Sequence, residues 1–240
     1  MTSSNTDRFY FRQLLSGRDF ATQDNLAHQM VNFVYLIGDL ATRECVVVDP
    51  AYAVNDIVKI VQQDEMQLTG ILATHYHPDH VGGSMMGMNI QGIAALLENY
   101  QLPVHVNTHE ANWILKTTGV DEKDLVQHVG GDTLSIGEIS ITFVHTPGHT
   151  PGSQCFLVEN RLVAGDTLFL DGCGRTDLPG ANPSQMYSSL KTLASLSPNT
   201  VVCPGHKYSA EATASLGTVV ANNHVFAPQS EQQWLEVFSR

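Results

Sequence analysis

The chain has 240 residues, and 42% of them are hydrophobic, which is enough for one sizeable domain with a full core. Its 24 acidic residues outnumber its 12 basic ones, giving a formal net charge of −12. A nucleic-acid groove requires clustered Lys and Arg, so this balance excludes nucleic acid as the expected partner. It favours an acidic enzyme that acts on a small molecule.

The N-terminus and the apolar runs indicate a cytoplasmic protein without a membrane partner. Residues 1–8 lack the hydrophobic core of a secretion signal, and no apolar run approaches the ~20 residues of a membrane span. The four cysteines are scattered without metal-ligand spacing, so we expect reduced thiols. Cys45 and Cys155 fall in apolar strands as core residues, whereas Cys173 falls in a loop, where a reactive thiol is an alternative.

Apolar patterns predict the secondary structure in chain order. In the first half, strands are expected at 30–38, 44–49, 70–73 and 103–107, and helices at 54–61 and 109–117. In the second half, strands are expected at 139–144, 153–158, 161–164 and 200–203. A helix should begin at Asn182-Pro183, because asparagine caps a helix and proline suits its first turn. Strands followed by helices, twice over, predict one α/β domain over residues 1–240, with two sheets sandwiched between helices.

The segment 74–80 reads Thr-His-Tyr-His-Pro-Asp-His and contains four metal-binding side chains, His75, His77, Asp79 and His80. Neutral imidazole and carboxylate suit zinc, iron or manganese. The apolar run 70–73 precedes these residues and Gly82-Gly83 follows them, so they are expected at the end of a buried strand. A rigid strand end holds ligands accurately, and the segment therefore predicts a metal site.

Further ligands are expected at other strand ends. Three more runs stop at a potential ligand near glycine or proline, namely at His149, Asp166 and His206. Asp49, after the run 46–48, is expected to hydrogen-bond the metal region, with a plain loop carboxylate as the alternative. His105 and His145 lie outside this arrangement and are interpreted as structural, because ligand sets need convergence.

With these residues the sequence resembles the metallo-β-lactamase-fold superfamily of metallohydrolases. The THxHxDH motif at 74–80, His149, Asp166 and His206 match the family in order, over nearly the whole chain. The runs 165–169, 172–177 and 205–208 are similar to the glyoxalase II-like and persulfide dioxygenase-like branch. The resemblance implies a four-layer αββα sandwich.

The resemblance also implies two adjacent divalent metal ions, with Zn²⁺ expected and iron as an alternative. By position, His75, His77 and His149 would bind the first ion, Asp79, His80 and His206 the second, and Asp166 would bridge them. Two such ions share a water and lower its pKa, so that a bridging hydroxide can attack a carbonyl. Asp79 could also orient that hydroxide. The implied activity is hydrolysis of a thioester or related acyl substrate, as in hydroxyacylglutathione hydrolase.

Substrate contacts are implied at two positions that match glutathione-binding residues of glyoxalase II. Arg175 could pair with a substrate carboxylate through its planar guanidinium group, and Tyr208 could donate a hydrogen bond. Asp177, however, stands where that enzyme usually has an aromatic residue. After Lys207 the only cationic residue is Arg240. A glutathione conjugate is therefore one expected substrate among several.

Two other activities remain open on the same residues. The stretch 172–177 looks like its counterpart in persulfide dioxygenases, where His75, His149 and Asp166 would bind a single iron. Asp166 also permits lactone hydrolysis, although it disfavours the common zinc β-lactamases, which place cysteine there. A flavin-linked di-iron reductase is disfavoured, because that family usually has glutamate where His77 stands.

The segment 84–93 is unusually rich in methionine and glycine and follows the predicted ligand loop directly. Methionine gives an adaptable apolar surface. The segment is therefore expected to form a wall or lid of the substrate pocket, with an ordinary core helix as the alternative.

Overall fold

A computed structural model describes residues 8–238 of the chain. Residues 1–7, to which the expectation about a secretion signal applies, and Arg240 lie outside this range. In chain order the strands are β1 Phe9–Leu15, β2 Phe33–Asp39, β3 Glu44–Val48, β4 Gln67–Leu72, β5 Gly83–Met85, β6 Met88–Ile90, β7 Val104–Asn107, β8 Leu125–His128, β9 Thr133–Ile136, β10 Ile139–His145, β11 Gln154–Val158, β12 Arg161–Gly165, β13 Val201–Pro204 and β14 Ala214–Ser215.

The helices alternate with these strands. They are α1 Asn25–Met30, α2 Val54–Gln63, α3 Pro78–Val81, α4 Ile93–Leu97, α5 Ala111–Thr118, α6 Pro183–Ala194, α7 Leu216–Asn222 and α8 Glu231–Phe238. The predicted start of α6 is confirmed, since the Asn182 side chain accepts a hydrogen bond from the Gln185 amide at 3.1 Å. No helix between residues 8 and 238 combines the length and the apolarity that crossing a bilayer requires.

Two six-stranded sheets form the centre of the fold. The first has the order β1-β2-β3-β4-β7-β8 and the second the order β14-β13-β12-β11-β10-β9, while β5 and β6 form a separate hairpin. In the first sheet β3, β4, β7 and β8 run parallel, as do β12 and β13 in the second. Because parallel strands end at the same edge of a sheet, the loops that follow these strands leave each sheet at one edge.

Alternating side chains explain how each sheet is covered on both faces. Along β3, Val46 and Val48 pack against the other sheet, whereas Cys45 and Val47 pack against helices, as a strand period of two requires. A second helical layer, including Met186 of α6, covers the far face of the other sheet. The predicted four-layer αββα sandwich is confirmed.

The methionine-rich segment forms the hairpin of β5 and β6, so the alternative of a core helix is wrong for its first part. A short helix, α4, begins only at Ile93. The turn that reverses the chain in this hairpin consists of Met86 and Gly87. The predicted wall role agrees with the structure, because Ser84, Met85 and Met86 line a cavity that His77, Asp79 and His149 also line.

Candidate metal centre

Four loops bring the predicted ligands to one end of the two sheets. The loop after β4 carries His75, His77, Asp79 and His80, while His149, Asp166 and His206 follow β10, β12 and β13. His77 is the N-cap of α3 and Pro78 is its first residue, a position that suits proline. A one-turn helix therefore places Asp79 and His80 beyond the strand end.

The first cluster of ligand atoms consists of three histidines. The Nδ1 atom of His77 lies 3.1 Å from Nε2 of His75 and 3.0 Å from Nε2 of His149. His75 and His149 are buried, and His77 borders the cavity. Three nitrogens that face one another at such distances form a set that could hold a metal ion.

The second cluster combines two histidines with a carboxylate. Nε2 of His80 lies 3.1 Å from Nε2 of His206, and Oδ2 of Asp79 lies 3.4 Å from the latter atom. All three side chains are buried. They form another set that could hold an ion, so the structure brings the predicted ligands together as two triads.

Asp166 lies between the two triads. Its Oδ2 atom is 3.7 Å from Nε2 of His149 in the first triad and 3.4 Å from Nε2 of His206 in the second. The preceding Gly165 has φ 47°, and a Cβ there would lie 2.7 Å from Thr74 Oγ1, so the close approach of β12 to the ligand loop requires glycine. The carboxylate thus occupies the place of a bridging ligand.

Hydrogen bonds on the outer side of the rings fix which nitrogen of each histidine faces the centre. Nδ1 of His149 donates to the carbonyl of Arg175 and Nδ1 of His206 to the carbonyl of Met30, each at 2.7 Å. Carbonyl oxygens only accept hydrogen bonds, so the neutral form of both rings carries its proton on Nδ1 and presents the Nε2 lone pair inward.

Asp49 supports one histidine of each triad. Its Oδ2 atom accepts hydrogen bonds from His80 Nδ1 at 3.0 Å and from Thr74 Oγ1 at 2.6 Å. The Thr74 hydroxyl group donates its proton to Asp49, so Thr74 Oγ1 can act only as an acceptor towards His75. It accepts a hydrogen bond from His75 Nδ1 at 3.0 Å. The predicted contact between Asp49 and the metal region is confirmed, and the carboxylate orients His75 as well as His80.

The two triads differ in charge. Burial, together with neighbouring histidines, lowers the pKa of His75 and lowers that of His77 to about 4, so both rings are neutral ligands at neutral pH. Burial also opposes charge on His206, but Asp166 and Asp79 outweigh it and raise the pKa of this ring to about 9. Asp79 and the adjacent Asp166 thus attract positive charge to the second triad, which a divalent cation would supply.

The residues present fit two divalent cations. Oδ1 of Asp166 is buried and accepts no hydrogen bond from the residues that the structure describes, and only Nε2 of His80, 3.3 Å away, is given as its ion-pair neighbour among them. Burial without a hydrogen bond is costly for a carboxylate oxygen. A cation would satisfy this atom. Imidazole nitrogens with carboxylate oxygens form the ligand set of zinc and of non-haem iron centres.

Two buried residues that the sequence analysis missed stabilise the ligand loops. Oε1 of Glu110 accepts a hydrogen bond from the Tyr76 amide at 2.8 Å, and Oε2 accepts one from the Gly152 amide at 2.7 Å, which ties the loop after β4 to the loop that carries His149. Asn32 donates to Asp79 Oδ2 at 3.1 Å. Neither residue belongs to a run of ligand-type side chains, so the sequence contains no signal for them.

A cavity of about 760 Å³ opens over the ligand atoms, and Arg175 and Tyr208 both line it as expected of substrate-binding residues. Tyr208 stacks on the His206 ring with centroids 4.7 Å apart. Arg175, however, is paired with Asp177, to which its Nε and Nη2 atoms donate at 2.9 and 2.7 Å. The guanidinium group that was expected to meet a substrate carboxylate already binds one from the chain.

The remaining predictions for individual side chains concern packing. Cys45 and Cys155 are fully buried, as expected. Burial raises the pKa of the Cys173 thiol to about 12, which disfavours the reactive thiolate considered for it. His105 contacts His128 through nitrogens 2.9 Å apart, and Nε2 of His145 lies 3.0 Å from the Pro151 carbonyl, so both histidines have partners outside the two triads.

The fold and the site together define a class of protein. The sequence model of the Metallo-beta-lactamase superfamily matches residues 29–206, a range that contains all seven predicted ligands. The chain belongs to this superfamily.

Three individual proteins show what the chain is similar to within this superfamily. The chain is 27% identical over 215 residues to the probable polyketide biosynthesis zinc-dependent hydrolase BaeB of Bacillus velezensis, covering 89% of this chain and 90% of that protein. It is 33% identical over 179 residues to the hydroxyacylglutathione hydrolase of Yersinia enterocolitica, covering 74% of this chain but only 62% of that enzyme. The crystal structure of ETHE1 from Myxococcus xanthus aligns with a TM-score of 0.78 and 30% identity, covering 96% and 90% of the two chains. These similarities agree with the glyoxalase II-like and persulfide dioxygenase-like branch.

Proposed function

We propose that this protein is a binuclear metal-dependent hydrolase that cleaves a thioester or a related acyl substrate of small size. The observation that supports this proposal is the pair of ligand triads on either side of Asp166. Two divalent cations bound there would lower the pKa of a shared water and polarise the substrate carbonyl. Relatives named as a zinc-dependent hydrolase and as a hydroxyacylglutathione hydrolase support zinc and acyl transfer to water.

The chain itself supplies orientation for this reaction. Asn32 accepts a hydrogen bond from Tyr52 at 2.9 Å and donates to Asp79 Oδ2, so the Asp79 carboxylate is held in one orientation at the cavity floor. Burial and the nearby Asp166 oppose ionisation of Asp79, but His80 and His206 outweigh them and lower the pKa of its carboxyl group, so it stays ionised. An ionised, fixed carboxylate can accept a hydrogen bond from the attacking water and orient it.

A mononuclear iron dioxygenase is the second candidate, since the stretch 172–177 resembles that of persulfide dioxygenases. In a dioxygenase of this kind, His75, His149 and Asp166 would hold the iron, while the second triad would remain without an ion. The completeness of the second triad favours the hydrolase.

Metal content and turnover, measured on protein purified without a His-tag or added metal, test the proposal. About two zinc ions per chain, with hydrolysis of thioesters or lactones, are expected for the hydrolase. One iron per chain, with oxygen uptake in the presence of glutathione persulfide, would support the dioxygenase instead.

Asp166→Ala should remove both metal retention and turnover, because it deletes the side chain between the triads. His145→Ala is the matched control, since His145 has its partner outside the triads and should leave the metal content intact. Two tightly bound metals and full activity in Asp166→Ala would exclude Asp166 as the bridge.

A further inference from the structure

A tight hairpin lies at the rim of the cavity. Met85 of β5 pairs with Met88 of β6, so that only Met86 and Gly87 form the turn. Both turn residues have positive φ, 52° and 77°. Two-residue turns of this kind favour Asn, Asp or Gly, so a methionine at the first position is strained. Strain of this kind is often found where a side chain serves a functional site.

The Met86 side chain is also unusually accessible. It is 85% exposed, more than any other large hydrophobic side chain that the structure describes. Together with the half-buried Met85 it lines the cavity above the ligand atoms, and we call these two residues the methionine lip. A thioether side chain adapts to apolar ligands of different shape. Met85 packs against the core of the fold, whereas the exposed Met86 side chain offers apolar surface that a bound apolar group could cover.

Charge at the cavity disfavours an anionic substrate. Arg175 is the one Lys or Arg side chain that lines the cavity within residues 8–238, and its Nε and Nη2 atoms donate to Asp177. Asp171 is a further carboxylate of the lining, besides the ligand residues Asp79 and Asp166. A carboxylate of the substrate would compete with Asp177 for the guanidinium group and would approach Asp171. An uncharged substrate avoids both effects.

The other walls of the cavity extend the apolar surface. They include Met30, Phe169, Leu178 and Pro179, while five ligand residues form one polar part of the lining, namely His77, Asp79, His149, Asp166 and His206. A pocket of this composition places a reactive carbonyl at the polar floor and leaves the walls for hydrocarbon.

We propose that the substrate is an uncharged acyl thioester whose apolar acyl chain binds to the methionine lip. This inference rests on the proposed hydrolase function and adds the class of substrate. Each methylene group that the lip removes from water should increase kcat/KM by up to about fourfold. The protein should therefore prefer longer acyl chains when the thiol part is constant.

A chain-length series tests the proposal on the metal-loaded protein. The substrates are N-acetylcysteamine thioesters of acetate, butyrate, hexanoate and octanoate. In the wild-type protein the ratio of kcat/KM for octanoyl over acetyl should be at least about tenfold. Met86→Asn should lower this ratio by about fivefold or more, because asparagine suits the turn conformation but removes the apolar side chain.

Met88→Asn is the matched control. Met88 lies in the same hairpin and is 45% exposed, but it is not among the residues that line the cavity. This variant should retain the wild-type ratio. A wild-type ratio near one, or a Met86→Asn variant with the full wild-type ratio, would overturn the proposal.

A binding experiment separates this inference from the proposed reaction. N-acetylcysteamine thioethers carrying an S-octyl or an S-ethyl group cannot be hydrolysed, and calorimetry gives their affinities directly. The octyl compound should bind at least about tenfold more tightly, and Met86→Asn should remove most of this difference. If neither thioesters nor lactones are turned over by the metal-loaded protein, the hydrolase function is wrong. Equal affinities of the two thioethers would show that the lip does not bind an apolar chain.

Discussion

Asp49→Asn should weaken metal binding at both halves of the candidate centre while the fold is retained. Asp49 has φ 53°, a conformation that asparagine adopts readily, so the substitution keeps both the backbone and the side-chain shape. The change is confined to one oxygen, which becomes an amide group. Since Asp49 contacts His80 directly and His75 through Thr74, one substitution perturbs both triads.

The magnitude follows from the three hydrogen bonds that Asp49 accepts. The backbone N–H of Thr74 donates to Asp49 Oδ1 at 2.7 Å. If the new amide group replaces Oδ1, its N–H groups face this N–H, and the hydrogen bond is lost because both groups are donors. If it replaces Oδ2, it faces Nδ1 of His80, which must then accept, so the proton moves to the Nε2 atom that faces the centre. Either arrangement should reduce metal affinity by about 10- to 100-fold, or about 1.4 to 2.7 kcal/mol.

Competition with a zinc chelator measures this loss, and urea unfolding of the metal-free protein checks that the fold is intact. Asp56→Asn is the control, because the partly exposed Asp56 side chain on α2 pairs with Lys59 at 3.1 Å and belongs to neither triad. Zinc affinities within twofold of wild type in Asp49→Asn would refute the argument that this carboxylate orients His80 and His75.

Two further predictions concern buried carboxylates that connect distant segments. Glu110→Ala leaves the amides of Tyr76 and Gly152 without their acceptor, and should lower the free energy of unfolding by about 3 kcal/mol in urea titrations; a loss below about 1 kcal/mol would contradict this role. Asp39→Asn weakens the contact with Arg8 and should cost about 2 kcal/mol at pH 7. Burial opposes the charge, but Arg8 and two backbone amides lower the pKa of Asp39 to about 2, below its usual 3.8. Its stabilisation is therefore complete above about pH 4 and is lost as the pH falls towards 2, so the difference between variant and wild type should disappear there.

Local patterns in the sequence were sufficient to predict the ligand loops. The motif at 74–80 follows a strand that the structure places at Gln67–Leu72, and each of the later ligands follows a strand that was also expected. Regular strand ends hold their following residues in a narrow range of positions, which is why seven side chains from four loops could be expected to converge. Asp49 was predicted for the same reason, because it directly follows β3.

Contacts between distant segments could not be predicted in this way. Glu110 precedes α5 and Asn32 precedes β2, and neither has neighbours in sequence that suggest its role. Their functions depend on which loops the folded sheets bring beside them. The same holds for the hairpin of β5 and β6, since its sequence is short, apolar and compatible with either a helix or a strand.

The metal ligands and the residues at the cavity rim should affect different properties of the protein, namely metal content and substrate preference. The ligand triads are built from side chains that the superfamily pattern contains, and these set the requirement for metal ions. We expect substrate choice to depend instead on Asp177, which accepts two hydrogen bonds from Arg175, and on the methionine lip, which offers apolar surface. Neither feature contributes a ligand atom. Changes at the rim should therefore alter the relative kcat/KM of different thioesters without altering metal content, whereas changes at Asp49 or Asp166 should alter metal content for every substrate.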